Sequence, residues 1–296
     1  MNMEHFTLDS IVRKSLTRAF NAYLDDLDKN IKPEYSYLPY NFEFIIGNNR
    51  LSLGKYIIKH ELQELTNIMN RWLGDLHRWH AWNNILQQAN EDEKWNIQIE
   101  FIDALAHQCL LEPSAIRDRF TFVATNAFHQ IRLASEDNYI DHLDGDPKHP
   151  SEKPIFLSRQ KKEKRLEKVM SNWNESLQFL DSLKSINDNS YQTSTNDYRN
   201  RVNHAIAPRL ANGMTQIVTR KLVQATRRTM QEDGSYCSEP ITGKLTVQYV
   251  FGGTSPICLY NAWQLNSQQY ALARECYNRY LDILKFKITS IARIDK

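Results

Sequence analysis

The sequence predicts a mainly α-helical protein carrying two small β-hairpin elements. Three observations lead there. Nine Gly and nine Pro in 296 residues are too few for a many-stranded fold that turns about every ten residues. Apolar residues recur at three-to-four spacing over several long stretches. A hydrophobic fraction of 41% with 24% charged residues is the balance of a globular chain with a sizeable core.

Taken in order, residues 5–30 are expected as a first helix, with Ile11, Val12, Leu16, Phe20, Tyr23, Leu24 and Leu27 on one stripe. Then the character changes. Phe42, Phe44 and Ile46 alternate, Gly47-Asn48-Asn49 offers a turn, and Leu51 and Leu53 alternate again, which predicts the first hairpin. Over 55–89 a long amphipathic pattern marked by Ile58, Leu62, Leu65, Met69, Trp72, Leu76, Trp79 and Leu86 predicts another helix. A helix over 93–111 is expected to stop near Pro113, because the residue before proline avoids the α region. Ser114 would cap its successor, whose stripe is Ile116, Phe120, Val123, Ala127 and Ile131.

Residues 135–157, rich in Asp, Pro, Gly and Lys, read as the longest polar loop. Helical spacing resumes over 158–184 with Leu166, Met170, Trp173, Leu177, Leu180 and Leu183. The following loop ends in the cap formers Thr195, Asn196 and Asp197. After Pro208 and Gly213 another helix is expected over 214–231. The second β element covers 241–260, where Leu245, Val247, Tyr249 and Phe251 alternate and Gly252-Gly253 turns. Ser267 would cap a last helix ending near 286. The whole reads as a single domain, 1–296: helices and a small hairpin at 1–92, a bundle at 93–231, and a hairpin plus C-terminal helix at 232–296.

Several function classes drop out. No run approaches the roughly 18 apolar residues that span a bilayer, and the charged start MNMEHFTLDSIVRKSL is not a secretory signal. Cys109, Cys237, Cys258 and Cys276 are scattered without a C-x-x-C pair, which reads as free buried thiols in a reducing cytoplasm and excludes a zinc ribbon. Neither a Gly-rich phosphate loop nor a nucleophile elbow nor an H-E-x-x-H motif occurs. Net charge is only +2, yet no Asp or Glu lies between Tyr198 and Gln231, where seven Lys and Arg fall. Such a local surplus suits an anionic ligand, and equally suits a solvated helix face paired with the acidic loop at 136–146.

The stretch YRNRVNHAIAP, residues 198–208, opens that basic span. On a helix, Asn200 and His204 are four apart and share a face, Asn203 lies beside them, and Arg199 lies about a turn back. An imidazole that titrates near neutrality can take the proton of a 2′-hydroxyl or protonate a leaving 5′-oxygen. A guanidinium forks onto phosphate oxygens, and a helix N-terminus adds backbone donors. The alternative is a helix end whose Arg199 and Arg201 pair with acidic loops. That leaves unexplained why two Asn, poor helix formers, sit in one segment.

Arg199-Asn200-Arg201-Val202-Asn203-His204 resembles the R-polar-x-x-x-H motif of the HEPN superfamily. HEPN proteins are helical bundles, many of them metal-independent endoribonucleases of toxin–antitoxin, abortive-infection and CRISPR-associated defence systems. The resemblance implies a HEPN-type bundle with added helices, its two β pieces being insertions or extensions. It implies that Arg199 and His204 are catalytic and that Asn200 positions the phosphate. It further implies a homodimer whose two motifs share one cleft, RNA as substrate, no metal or other cofactor, and products with cyclic phosphate and 5′-hydroxyl ends. A toxin or antiviral role, with an antitoxin or regulatory partner, follows by family analogy. Arg201, Asn203 and Tyr198 are assigned to RNA contact. So are Asn126 and His129 of ATNAFHQIRL (124–133), a looser match to an earlier family helix, which otherwise bridge helices. Two other readings stay open: a non-catalytic module that binds RNA or protein through the same surface, and a structural helical protein whose motif is accidental.

Other candidates read as structural. His77-x-x-His80 has metal-binding spacing without an evident third ligand, so a core histidine among aromatics is expected. Trp72, Trp79 and Trp82 are too regularly helical for base-stacking platforms and are expected in the core or a dimer interface. The charge-dense SRQKKEKRLEKVM (158–170) reads as a solvated helix face.

Overall fold

The computed structural model describes residues 3–29, 36–153 and 155–293. Met1 and Asn2 of the start read as non-secretory, Asn30 at the end of the first expected helix, and Pro154 in the polar loop lie outside the described residues. In chain order the elements are α1 (Met3–Lys29), α2 (Glu43–Ile46), α3 (Gly54–Gln88), α4 (Glu91–Ile97), α5 (Asp103–Ser135), α6 (Arg159–Val169), α7 (Ser176–Ser185), α8 (Asn189–Ser194), α9 (Tyr198–His204), β1 (Thr215–Met230), β2 (Tyr236–Thr254) and α10 (Leu259–Arg293). The fold is mainly helical with one two-stranded antiparallel sheet. Where the sequence suggested one domain, the chain divides into two compact units: Met1–Asp197 with Leu259–Lys296, and Tyr198–Cys258.

Among the described residues the regular elements of the larger unit are all helices. Its core forms where α3, α5 and α10 pack pairwise, because each carries large apolar side chains on one stripe. Trp72 and Trp79 from α3, Phe120 and Phe128 from α5, and Tyr270, Tyr277 and Tyr280 from α10 are all fully buried. Trp72 meets the Tyr270 ring edge-on at 5.3 Å, and Phe128 meets Tyr280 at 5.5 Å and Trp173 at 5.0 Å. Around this centre, α1 lies on α3 and α4, α6 lies on α5, and α7 lies on α5 and α10. Trp82 is buried beneath α1, stacked on Tyr23 at 4.3 Å. Asn90 starts α4 with a capping box to Glu93.

Several boundaries differ from the sequence reading. Residues 42–53 form α2 and a 3₁₀ turn at Asn49–Leu51, not a hairpin. Burial falls on Phe42, Ile45, Asn48 and Leu51, a spacing of three that so short an alternation cannot be told from. Pro113 does not end a helix: α5 runs through it, and a π-helical turn at Gln98–Ile102 precedes α5 instead. An interior proline costs about 3 kcal/mol. Each of Ile116, Phe120, Ala127 and Phe128 is wholly buried, and burying one large apolar side chain contributes about 1.5–3 kcal/mol, so packing outweighs the defect. Ser114 is therefore no cap; its Oγ accepts from Arg159 Nη2 at 2.7 Å.

The helix expected over 158–184 is two, α6 and α7. Ser267 lies inside α10, donating to the Trp263 carbonyl at 3.0 Å. Cys109 and Cys276 are buried as expected, whereas Cys258 is exposed and Cys237 half-buried.

The smaller unit holds α9, β1 and β2. Residues 214–231, expected as helix, are the strand β1. It pairs antiparallel with β2 from Thr215 opposite Thr254 to Met230 opposite Tyr236, with an irregularity between Gln224 and Thr226. The second β element is thus one arm of a single long hairpin. At its tip Gly234 takes φ +81°, which glycine tolerates without strain, and the Gln231 amide donates to the Ser235 carbonyl at 2.7 Å.

Candidate functional site

The motif stretch builds the base of the hairpin unit. Asn196 and Asp197 both adopt φ 52°, a left-handed conformation rather than the extended one of a side-chain cap. Helix α9 then lasts seven residues, Tyr198–His204, and the Ala205 amide closes it on the Arg201 carbonyl at 2.9 Å. Two turns provide little macrodipole, so a phosphate would be held by side chains more than by the helix end.

Arg199 and His204 stand five positions apart, about 140° around a helix axis. Arg199 Nη1 donates to Asn200 Oδ1 at 3.0 Å, drawing the guanidinium toward Asn200, which shares a face with His204. Asn200, Asn203 and His204 are exposed. Among the described residues neither Arg199 nor His204 forms an ion pair.

Two other members of the stretch have structural duties. Arg201 Nε donates to the Ile206 carbonyl at 3.0 Å, and both Nη atoms reach Thr254 Oγ1 at 3.2 Å. Its guanidinium clasps the end of α9 to the end of β2, a structural duty that the RNA-contact assignment of Arg201 did not include. Tyr198 is buried and offers no open ring face for a base. The clasp continues through the Arg209 amide to Thr215 Oγ1 at 2.9 Å, and through Leu210 and Ile257, which form a parallel bridge.

Asn126 and His129 belong to the helical unit, where both bridge elements. Asn126 Nδ2 donates to Glu61 Oε1 at 2.7 Å, joining α5 to α3. His129 is 3% exposed; its Nδ1 meets the Tyr139 hydroxyl and its Nε2 meets Asp141 Oδ1, each at 2.8 Å. The ring pins the polar loop onto α5, and the RNA-contact assignment of both residues gives way to the bridging one. Burial, with Glu136 and Asp141 adding and Arg132 opposing, raises the Tyr139 phenol above its ordinary range.

His80 stacks on Trp263 at 4.5 Å, the aromatic setting expected of it. Burial first, then the nearby His80, lowers the His77 imidazole. Among the described residues no group of three or more His, Cys, Asp or Glu is placed to hold a metal ion. In the charge-dense α6 segment, Arg159 grips Asp118 through two bonds of 2.7 and 2.8 Å, and Glu163 receives Arg117 at 2.8 Å. That helix is tied inward as well as solvated.

No family model, curated protein or solved structure matches the chain. The site therefore stands on its own chemistry. Sequence reasoning missed the charge division between the units. Residues 198–258 hold eight Lys and Arg against three Asp and Glu, a net +5, while the whole chain carries +2, leaving −3 for the remainder. The acid-free span was the visible half of that division; the hairpin that carries it was not.

Proposed function

We propose that the protein is a metal-independent RNA endonuclease of HEPN type. Its setting would be the cytoplasm, as a toxin or antiviral-defence effector with an antitoxin or regulatory partner. The observation that carries this reading is the Arg199 guanidinium held on Asn200, on the face of the exposed His204, within a unit of net +5. His204 takes the 2′-hydroxyl proton, the 2′-oxygen attacks phosphorus, and the 5′-oxygen leaves with a proton. Cyclic phosphate and 5′-hydroxyl ends result. Arg199 neutralises charge building on the non-bridging oxygens, and Asn200 orients the phosphate. A homodimer supplies a second His204 as the acid, so that base and acid face each other across one cleft.

Incubation with mixed RNA in EDTA tests this. His204→Ala and Arg199→Ala should each slow cutting about 100-fold or more; cutting that survives both substitutions sinks the reading. The wide angular separation of Arg199 and His204 on α9 favours one rival, a module that binds RNA without cleaving it. Retention of RNA with no cyclic-phosphate product by the unaltered protein would select that rival.

A further inference from the structure

One face of the hairpin is apolar, aromatic and open. In the regular ladder Val218 lies opposite Phe251, Arg220 opposite Tyr249, Leu222 opposite Val247 and Gln224 opposite Leu245. Side chains alternate along a strand, so these eight share a face. Phe251 is 82% exposed, Tyr249 61%, Leu222 66% and Leu245 66%. The opposite face is partly covered: Thr215 and Ala225 are buried, and Ile217 and Val223 half-buried. A two-stranded ribbon is at best marginally stable alone, and a contiguous exposed apolar surface marks an interaction site.

Charge indicates the occupant. The unit carries net +5, and Arg220 projects from the middle of the face with no ion-pair partner among the described residues. Farther along, the Arg228 guanidinium sits 4.9 Å from the Tyr236 ring. Exposed aromatic rings beside a guanidinium free of carboxylates are what a single nucleic-acid strand requires: rings for its bases, guanidinium for its phosphates. A second copy fits less well on this face, because a two-fold contact through it would bury Arg220 against a surface that holds no carboxylate. We infer that the Val218–Leu222 and Leu245–Phe251 face of the hairpin binds unpaired RNA, with bases on Tyr249 and Phe251 and a phosphate on Arg220. The choice of RNA among polyanions rests on the proposed nuclease reading.

Anisotropy of a labelled single-stranded RNA, titrated with the full chain carrying His204→Ala to block cutting, tests the face. Tyr249→Ser with Phe251→Ser should weaken binding about tenfold or more, while Phe251→Trp should retain it. Arg220→Gln should reduce the dependence of log affinity on log salt by about 0.7. Affinity unchanged in the aromatic double variant overturns the inference. So does loss of a dimer in sedimentation with RNA affinity intact, which would assign the face to a second copy. The two proposals fail separately. Hairpin-dependent binding without any cutting leaves this one standing and removes the nuclease. His204-dependent cutting that ignores the hairpin does the reverse.

Discussion

Glu61 keeps one carboxylate oxygen on Asn126 and the other buried without a partner. Burial raises its titration range, with Asn126 opposing, and burial likewise raises Asp75 and Glu112. All three shifts have one sign. The folded state holds these protons more tightly than the unfolded chain, so the penalty is absent below the ordinary carboxylate range. It is fully present above the raised values, and stability falls as pH rises between them. Glu61→Gln keeps an acceptor for Asn126 and removes the charge. It should raise Tm by about 2 °C at pH 7, a gain that closes as the pH approaches 4 in calorimetry. His129→Ala should cost about 2 kcal/mol and speed hydrogen exchange of the Tyr139–Asp141 amides, which the ring now pins. The sequence singled out Asn126 and His129 and left helix bridging open as their alternative role. Their partners, Glu61 on a distant helix and Asp141 on a loop, depend on tertiary placement that no local spacing encodes.

At the level of elements, the long helices were legible because α1 and α3 repeat their apolar positions over many turns, where helical period cannot be confused with alternation. The strand β1 was not, although seven of its sixteen residues are β-branched, a composition that favours extended chain. Asp233-Gly234 also stands between the two runs, a strong short-range hairpin signal. Pro113 misled in the other direction: local preference for a break yielded to the burial of α5. The motif's chemistry was readable as residue types, but the turn of Arg201 onto Thr254 was not, since Thr254 is paired by a ladder absent from the expected fold. Thr254→Val removes that acceptor. It should cost about 1 kcal/mol and raise hydrogen exchange across residues 198–206, with α3 and α5 protected as before.

For the whole molecule, the two units differ in how their contacts are made. The hairpin unit is held by one two-stranded ladder and the clasp at its base, the helical one by packing among many elements, tied by bonds such as that from Asn48 Nδ2 to the Ile288 carbonyl at 2.9 Å. Native-state exchange should therefore open residues 215–254 well before the centres of α3, α5 and α10. Phe128→Ala, by emptying the space shared with Trp173, Phe179 and Tyr280, should destabilise the helical unit by about 3–5 kcal/mol in denaturant titration. Because α10 follows the hairpin yet lies in the helical core, the ribosome must finish the basic ribbon before it supplies Tyr270, Tyr277 and Tyr280. A nascent chain thus carries the motif out of the exit tunnel while α3 and α5 still lack their third companion. Maturation of the helical body waits on α10, and any message cut short before that helix yields an unfinished core.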